Sequence, residues 1–198
     1  MPQIEFWYEF ASTYSYPAAM RIDALAAAQG VSVEWRPFLL GPLFAEQGWR
    51  DSPFNIYPAK GRYMWRDLER VCAALGVPFQ RPEPFPQNSL LAARVALVLD
   101  NSARAEFSRA IYRAEFAEGR QIAEPATLAD GLRAAGVEPD HALSLAQTPA
   151  NKERLKAETA RAVSLGVPGA PAVTTADGEI FWGNDRLETA LDWAAARA

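Results

Sequence analysis

The sequence predicts an α/β protein in which a β-α-β unit near one end and a β-β-α unit near the other share one sheet, interrupted by a large all-helical insertion. Three observations predict it. Runs with strand character lie only toward the two ends, at 3–10, 31–38, 172–175 and 179–182. From 60 to 165 apolar residues recur at helical spacing instead. Neither end piece alone has enough strands to cover its apolar faces, so the two are expected to pair.

Each element follows from its residues. Ile4-Glu5-Phe6-Trp7-Tyr8-Glu9-Phe10 is an apolar strand feeding directly into a helix over 14–29, whose apolar face is Ala18, Ala19, Ile22, Leu25 and Ala26. Gly30 stops that helix, and the alternating run from Val31 to Phe38 is a second strand. A strand–helix–strand unit of this length crosses over right-handed and makes its strands parallel. Residues 41–60, rich in Pro, Gly and aromatics with no clean period, read as a structured loop. A helix is expected over 60–75, with Tyr63, Met64, Asp67, Leu68, Val71 and Cys72 at helical spacing. Pro78, Pro82, Pro84 and Pro86 make 76–88 an irregular connector. Helices near 88–100, 102–117, 125–135, 139–147 and 149–165 follow, with Gly119, Gly136 and Gly166 as breaks. Ala172-Val173-Thr174-Thr175 and Glu179-Ile180-Phe181-Trp182 flank Ala176-Asp177-Gly178, and an Asp-Gly turn between apolar runs signals a hairpin. Asp185 to Ala196 is a last helix with Leu187, Ala190, Leu191 and Ala194 on one face.

Composition narrows the function. A chain of 198 residues, 49% apolar and 22% charged, fits one domain carrying a large insertion. A net charge of −4 gives no general attraction to nucleic acid or anionic membranes, and no apolar stretch approaches the ~20 residues needed to span a bilayer. The N-terminus has no basic segment followed by an apolar one, so a cytoplasmic protein is expected. The single cysteine, Cys72, excludes an internal disulfide and a two-cysteine metal site; within the apolar run Leu68 to Leu75 it reads as a buried structural thiol. The single histidine, His141, leaves no usual zinc set, and no metal is expected.

Chemistry concentrates at the first strand–helix junction, Ser12-Thr13-Tyr14-Ser15. Unpaired N–H groups at a helix start favour an anion. In thioredoxin-like proteins this spacing holds a Cys-x-x-Cys pair. A serine cannot exchange disulfides, but its hydroxyl can donate to the thiolate of another molecule, and glutathione is the thiol expected. Ser12 is also an ordinary helix-capping residue type. A second feature is Gly166-Val167-Pro168-Gly169-Ala170-Pro171-Ala172-Val173. A cis bond before Pro171 would turn the Ala170 backbone toward an extended peptide; a trans bond would make this an ordinary loop. A third is Phe181-Trp182-Gly183-Asn184-Asp185-Arg186-Leu187, where Asn184 or Asp185 caps the last helix or forms a polar pocket at its start.

Phe10-x-Ser12-x-x-Ser15-Tyr16, Pro58-Ala59-Lys60-Gly61-Arg62-Tyr63, Gly166-Val167-Pro168-Gly169-Ala170-Pro171 and Phe181-Trp182-Gly183-x-Asp185-Arg186-Leu187, in that order, resemble the 2-hydroxychromene-2-carboxylate isomerase family. That family is related to kappa-class glutathione transferases within the thioredoxin-like superfamily. The resemblance implies a thioredoxin-like domain from 1–40 plus 166–198, a helical insertion domain from 41–165, and a homodimer. It implies glutathione as cofactor, bound by Ser12, Ala170, Pro171, Trp182, Gly183, Asn184 and Asp185, with Ser12 the catalytic residue at the sulfur. It also implies a small aromatic substrate held by Asn55, Ile56 and Asn88, although Asn88 equally suits a helix cap. The activity implied is isomerisation of 2-hydroxychromene-2-carboxylate to trans-o-hydroxybenzylidenepyruvate by reversible thiolate addition. A glutathione transferase or reductase acting on another electrophile, and a non-catalytic peptide-binding module, are the alternatives. One departure stands out. After Leu39-Leu40-Gly41, where family members carry a lysine, this chain has Pro42-Leu43-Phe44-Ala45-Glu46, leaving Lys60 or Arg62 to supply a cation.

Overall fold

Strand β1, Gln3–Tyr8, lies inside the sheet and organises the rest. The computed structural model describes residues 1–49 and 52–197. After β1 come α1 (Ser15–Ala28), β2 (Ser32–Pro37), α2 (Leu40–Glu46), α3 (Pro53–Ile56) and α4 (Pro58–Leu75). Then follow α5 (Leu90–Val98), α6 (Asn101–Phe116), α7 (Pro125–Ala134), α8 (Pro139–Ala146) and α9 (Pro149–Ser164). The chain closes with β3 (Ala172–Thr175), β4 (Ile180–Trp182), a single 3-10 turn at Asn184–Arg186, and α10 (Leu187–Ala195). Strand order is β2-β1-β3-β4, with β1 parallel to β2 and antiparallel to β3, and β3 antiparallel to β4. The two chain ends therefore share one sheet, and this is the thioredoxin-like fold with its helical insertion.

The period of two along β1 sends its side chains to two clusters. Ile4, Phe6 and Tyr8 enter the larger one, with α1, α10 and helices α4 to α9 of the long helical stretch. Trp7 enters the smaller one with Phe38, Leu43, Ala162, Val167 and Ala172. Each buried large side chain contributes roughly 1.5–3 kcal/mol. Gly30, at φ 67°, ends α1 in the left-handed conformation that glycine adopts without strain. The outer edge of β2 is not left bare. The Asn101 side chain accepts from Trp35 N–H at 2.9 Å and donates to the Val33 carbonyl at 2.7 Å, doing what another strand would do.

The expected loop over 41–60 is corrected: it holds α2, α3 and the first turn of α4, while positions 50 and 51 lie outside the described residues. Proline misled the reading here. Pro53 and Pro58 are first residues of their helices, where the missing N–H has no intrahelical partner to lose. Leu43 of α2 buries against the Phe38 cluster. The connector expected over 76–88 is irregular and runs on to 89, with cis bonds at Glu83–Pro84 and Phe85–Pro86. Cys72 is fully buried, and burial pushes its thiol up to about 11. Among the described residues no helix is long and apolar enough to cross a membrane.

Candidate active site

The turn between β1 and α1 opens onto a cavity of about 940 Å³. Ala11, Ser12, Thr13 and Tyr14 form one wall, and Pro168, Gly169 and Ala170 face the same space from the loop before β3. Leu40, Gly41, Phe44 and Ala45 of α2, then Trp49 and Phe54, supply a largely apolar side. Phe85, Pro86, Gln87 and Ser89 close it from the connector before α5. Trp182 at the end of β4, 58% exposed, stands at the rim.

Ser12 does not cap α1. The helix begins at Ser15, its cap position is Tyr14, and no side chain caps it. The Ser12 hydroxyl, nearly buried, donates to the Ala170 carbonyl at 2.9 Å. The Ala170–Pro171 bond is cis. The backbone turn is closed by Ser12 N–H to the Glu9 carbonyl at 3.0 Å and Ser15 N–H to the Ser12 carbonyl at 3.2 Å. The Tyr14 hydroxyl donates to Asp67 at 2.9 Å; burial first, then the bond to Asp67, raises its pKa.

Gly169 has a steric reason to be glycine. A β-carbon there would lie 2.9 Å from the Trp182 indole nitrogen, so the indole packs where a side chain would be. The rest of the expected glutathione stretch points elsewhere. Gly183 N–H donates to the Pro171 carbonyl at 2.9 Å. The buried Asn184 accepts from Arg21 through its side chain at 3.1 Å and its backbone carbonyl at 2.6 Å, and Arg21 also pairs with Glu188. The exposed Asp185 carboxylate lies 3.5 Å from Arg186. Ser12, Ala170 and Trp182 thus share the cavity, whereas Pro171, Gly183, Asn184 and Asp185 are beside it, off its lining.

Of the residues expected at the second substrate, none lines the cavity. Asn55 and Ile56 are exposed on α3. The Asn88 side chain accepts from Leu90 N–H at 3.1 Å, from one position before Ser89, the cap position of α5. Among the described residues Lys60 is the only cation on the lining; its ammonium also sits 4.7 Å from the centre of the Tyr57 ring. Arg62 is not on the lining. Of the aromatics in this part of the chain, Trp49 and Phe54 line the cavity, Trp65 packs on Phe85, and Tyr57 and Tyr63 are exposed.

Sequence reasoning missed Glu9. The residue is 5% exposed and lines the cavity, and its carboxyl accepts from the Ser89 hydroxyl and from Ala11 N–H. Burial raises it to about 7 against both hydrogen bonds. The available signal was an acid inside the apolar run Phe6 to Phe10. Glu115 gave a similar one, four residues after Ile111 on the buried stripe of α6.

A family model described as a DSBA-like thioredoxin domain matches residues 3–193. The chain is 29% identical over 186 residues to a 2-hydroxychromene-2-carboxylate isomerase of Sphingobium xenophagum, covering 93% of this chain and 94% of that protein. It is 28% identical over 206 residues to glutathione S-transferase kappa 1 of Caenorhabditis elegans, covering 97% of this chain and 90% of that one. A solved structure of 2-hydroxychromene-2-carboxylate isomerase superposes with a TM-score of 0.85 at 25% identity, covering 98% of this chain and 95% of that chain.

Proposed function

The chain belongs to the family of DSBA-like thioredoxin domains, and on that premise we propose that it is a glutathione-dependent isomerase of an unsaturated, aromatic-derived carboxylate. The similarity to an isomerase and to kappa transferases across most of the chain supports an enzyme of this group. The observation that carries the reading is the Ser12 hydroxyl, set beside the start of α1 and against the Ala170 carbonyl in the wall of one large, mostly apolar cavity.

The residues suit an extended thiol tripeptide. In the free protein the Ser12 hydroxyl and the Ala170 carbonyl satisfy each other. A bound cysteinyl unit offers an N–H to that carbonyl and a sulfur to that hydroxyl, so neither polar group is left unpaired on the exchange. The nearby end of α1 adds favourable potential for a negative sulfur. Trp182 covers one end of the peptide, and the exposed Asp185 beyond it meets an ammonium. Glutathione would supply the nucleophile, a thiolate that adds to the unsaturated carbon and leaves after bond rotation. Ser12 steadies charge on that sulfur and does not itself attack. Phe44, Trp49 and Phe54 accommodate the aromatic part of the second substrate, with Lys60 for its carboxylate. The enzyme works as a cytoplasmic homodimer.

The second reading is a kappa-like transferase on another electrophile. Ala45 and Glu46, in the stretch after Leu39-Leu40-Gly41 where the resemblance implies a lysine, favour it. Titration calorimetry with glutathione tests both: heat and a raised melting temperature are expected, and their absence overturns both. Glutathione returned unchanged after turnover supports the isomerase; stoichiometric consumption supports the transferase.

A further inference from the structure

Glu9 has no task in the account above, yet it is the only acid on the cavity lining among the described residues. It follows β1 directly and precedes Ser12 by three residues, so the turn closed by Ser12 N–H to the Glu9 carbonyl puts both residues in one wall. The Tyr112 hydroxyl on α6 also donates to that carbonyl, at 2.8 Å. From the same helix comes Glu115, fully buried, and neither of its carboxyl oxygens has a hydrogen-bond partner. Among the described residues no cation within salt-bridge distance pairs with Glu9 or Glu115. The other titratable groups of this region are Tyr8, whose hydroxyl pairs with that of Ser108, Tyr14, whose hydroxyl is committed to Asp67, and Lys60 on the cavity lining.

A buried acid kept only for the fold is ordinarily paired. Glu9 instead has two hydrogen-bond donors, a face on the cavity and a second acid nearby. We propose that Glu9 is the proton acceptor for the thiol that ionises in this cavity; the inference rests on the glutathione reading. The S–H bond breaks, the proton passes to a Glu9 carboxylate oxygen, and the electron pair stays on sulfur. The wall then exchanges one anion for another. Without that transfer, a thiolate would join an existing carboxylate in poorly solvated surroundings, where like charges repel strongly. Glu115 is held well above the ordinary carboxyl range by burial and then by the charge of Glu9, both of which favour its neutral form. Burial brings Glu9 to about 7, within reach of a thiol lowered by a helix N-terminus, so the transfer is close to balanced.

The test counts protons. Calorimetry of glutathione binding in two buffers of unlike ionisation enthalpy gives protons released, and ultraviolet absorbance gives thiolate formed. Wild-type protein is expected to release well under half a proton per new thiolate at about pH 8, rising toward one at about pH 6, where Glu9 already carries a proton. Glu9→Gln is expected to release about one at both pH values, and Glu9→Asp to restore part of the wild-type behaviour. The wild-type trend alone decides the matter should Glu9→Gln fail to fold. Thiolate formation with one proton released at every pH in wild-type protein overturns the role of Glu9 and leaves the glutathione reading standing. No heat with glutathione overturns both.

Discussion

The Ser12 hydroxyl donates to the carbonyl of Ala170, 2.9 Å away, tying the β1–α1 turn to the loop before β3. The bond joins the two sequence-distant halves of the sheet in the wall of the cavity. It also means that donation to a bound sulfur requires the hydroxyl to turn away from Ala170, whose carbonyl then needs another donor. A charge-assisted hydrogen bond is worth roughly 1.5–3 kcal/mol. Ser12→Ala is therefore expected to lower turnover about 10- to 100-fold while glutathione affinity stays within a few-fold. Steady-state kinetics beside calorimetry check it, and equal turnover in the two proteins would remove Ser12 from the chemistry.

Lys60 reaches the cavity from the first turn of α4 and is the only cation on its lining among the described residues. If the second substrate is a carboxylate, its charge has this one partner. Lys60→Gln is expected to raise KM for that substrate about tenfold with kcat changed less than about twofold, the pattern of lost uniform binding. An uncharged electrophile should be indifferent to the change, so the same variant separates the isomerase reading from a transferase acting on a neutral compound.

Arg104 is almost wholly buried and serves three backbone carbonyls at once, those of Ala96 at 2.9 Å, Leu99 at 2.8 Å and Trp35 at 2.8 Å, while reaching Glu34 at 3.2 Å. It holds the end of α5 and the start of α6 against β2. Its removal leaves buried acceptors without donors, at about 1–3 kcal/mol for each. Arg104→Met is expected to lose at least about 3 kcal/mol in urea unfolding, and Arg104→Lys to recover only part, since an ammonium lacks the fork that spans separate acceptors. A loss under about 1 kcal/mol in Arg104→Met would mean that water satisfies those carbonyls.

The elements legible in the sequence are those whose signal is local. The β-α-β start, the Asp177-Gly178 hairpin and α6 to α9 were carried by periodicity and turn residues within a few positions of each other. Four motifs in register carried the resemblance, and three of them hold the local backbone or side chains of Ser12, Ala170 and Trp182 that reach the cavity. Segment 41–60 was opaque because proline signals both loops and helix starts, and here Pro53 and Pro58 open helices. Glu9, Glu115 and Arg104 were passed over for a different reason. Their importance comes from burial, which depends on what distant segments bring over them, and an acid in a strand looks the same in the chain whether water or α6 covers it. Asn88 shows the converse: residue type suited a pocket, and the local N–H of Leu90 took its side chain.

The buried acids also set how stability depends on pH. Burial raises Glu9 from the ordinary 4.5 to about 7, and Glu115 is raised well above 4.5 by burial and by Glu9. A carboxyl that holds its proton more tightly in the folded state favours folding fully below its unfolded value, and that contribution is lost as pH rises through the folded one. At 1.36 kcal/mol per unit, Glu9 alone accounts for a decline of about 2–3 kcal/mol between about pH 5 and pH 7.5, and Glu115 acts in the same direction. Glu188 works oppositely: the hydrogen bond from Arg21 lowers it, so its contribution fades only as pH falls below about 4.5. The stability maximum should accordingly lie near pH 5. Urea unfolding at about pH 5 and about pH 7.5 checks it, with Glu9→Gln expected to show a markedly shallower decline than wild type. Parallel slopes in the two proteins would mean that Glu9 titrates like a solvated carboxylate, and would remove the basis for assigning it the thiol proton.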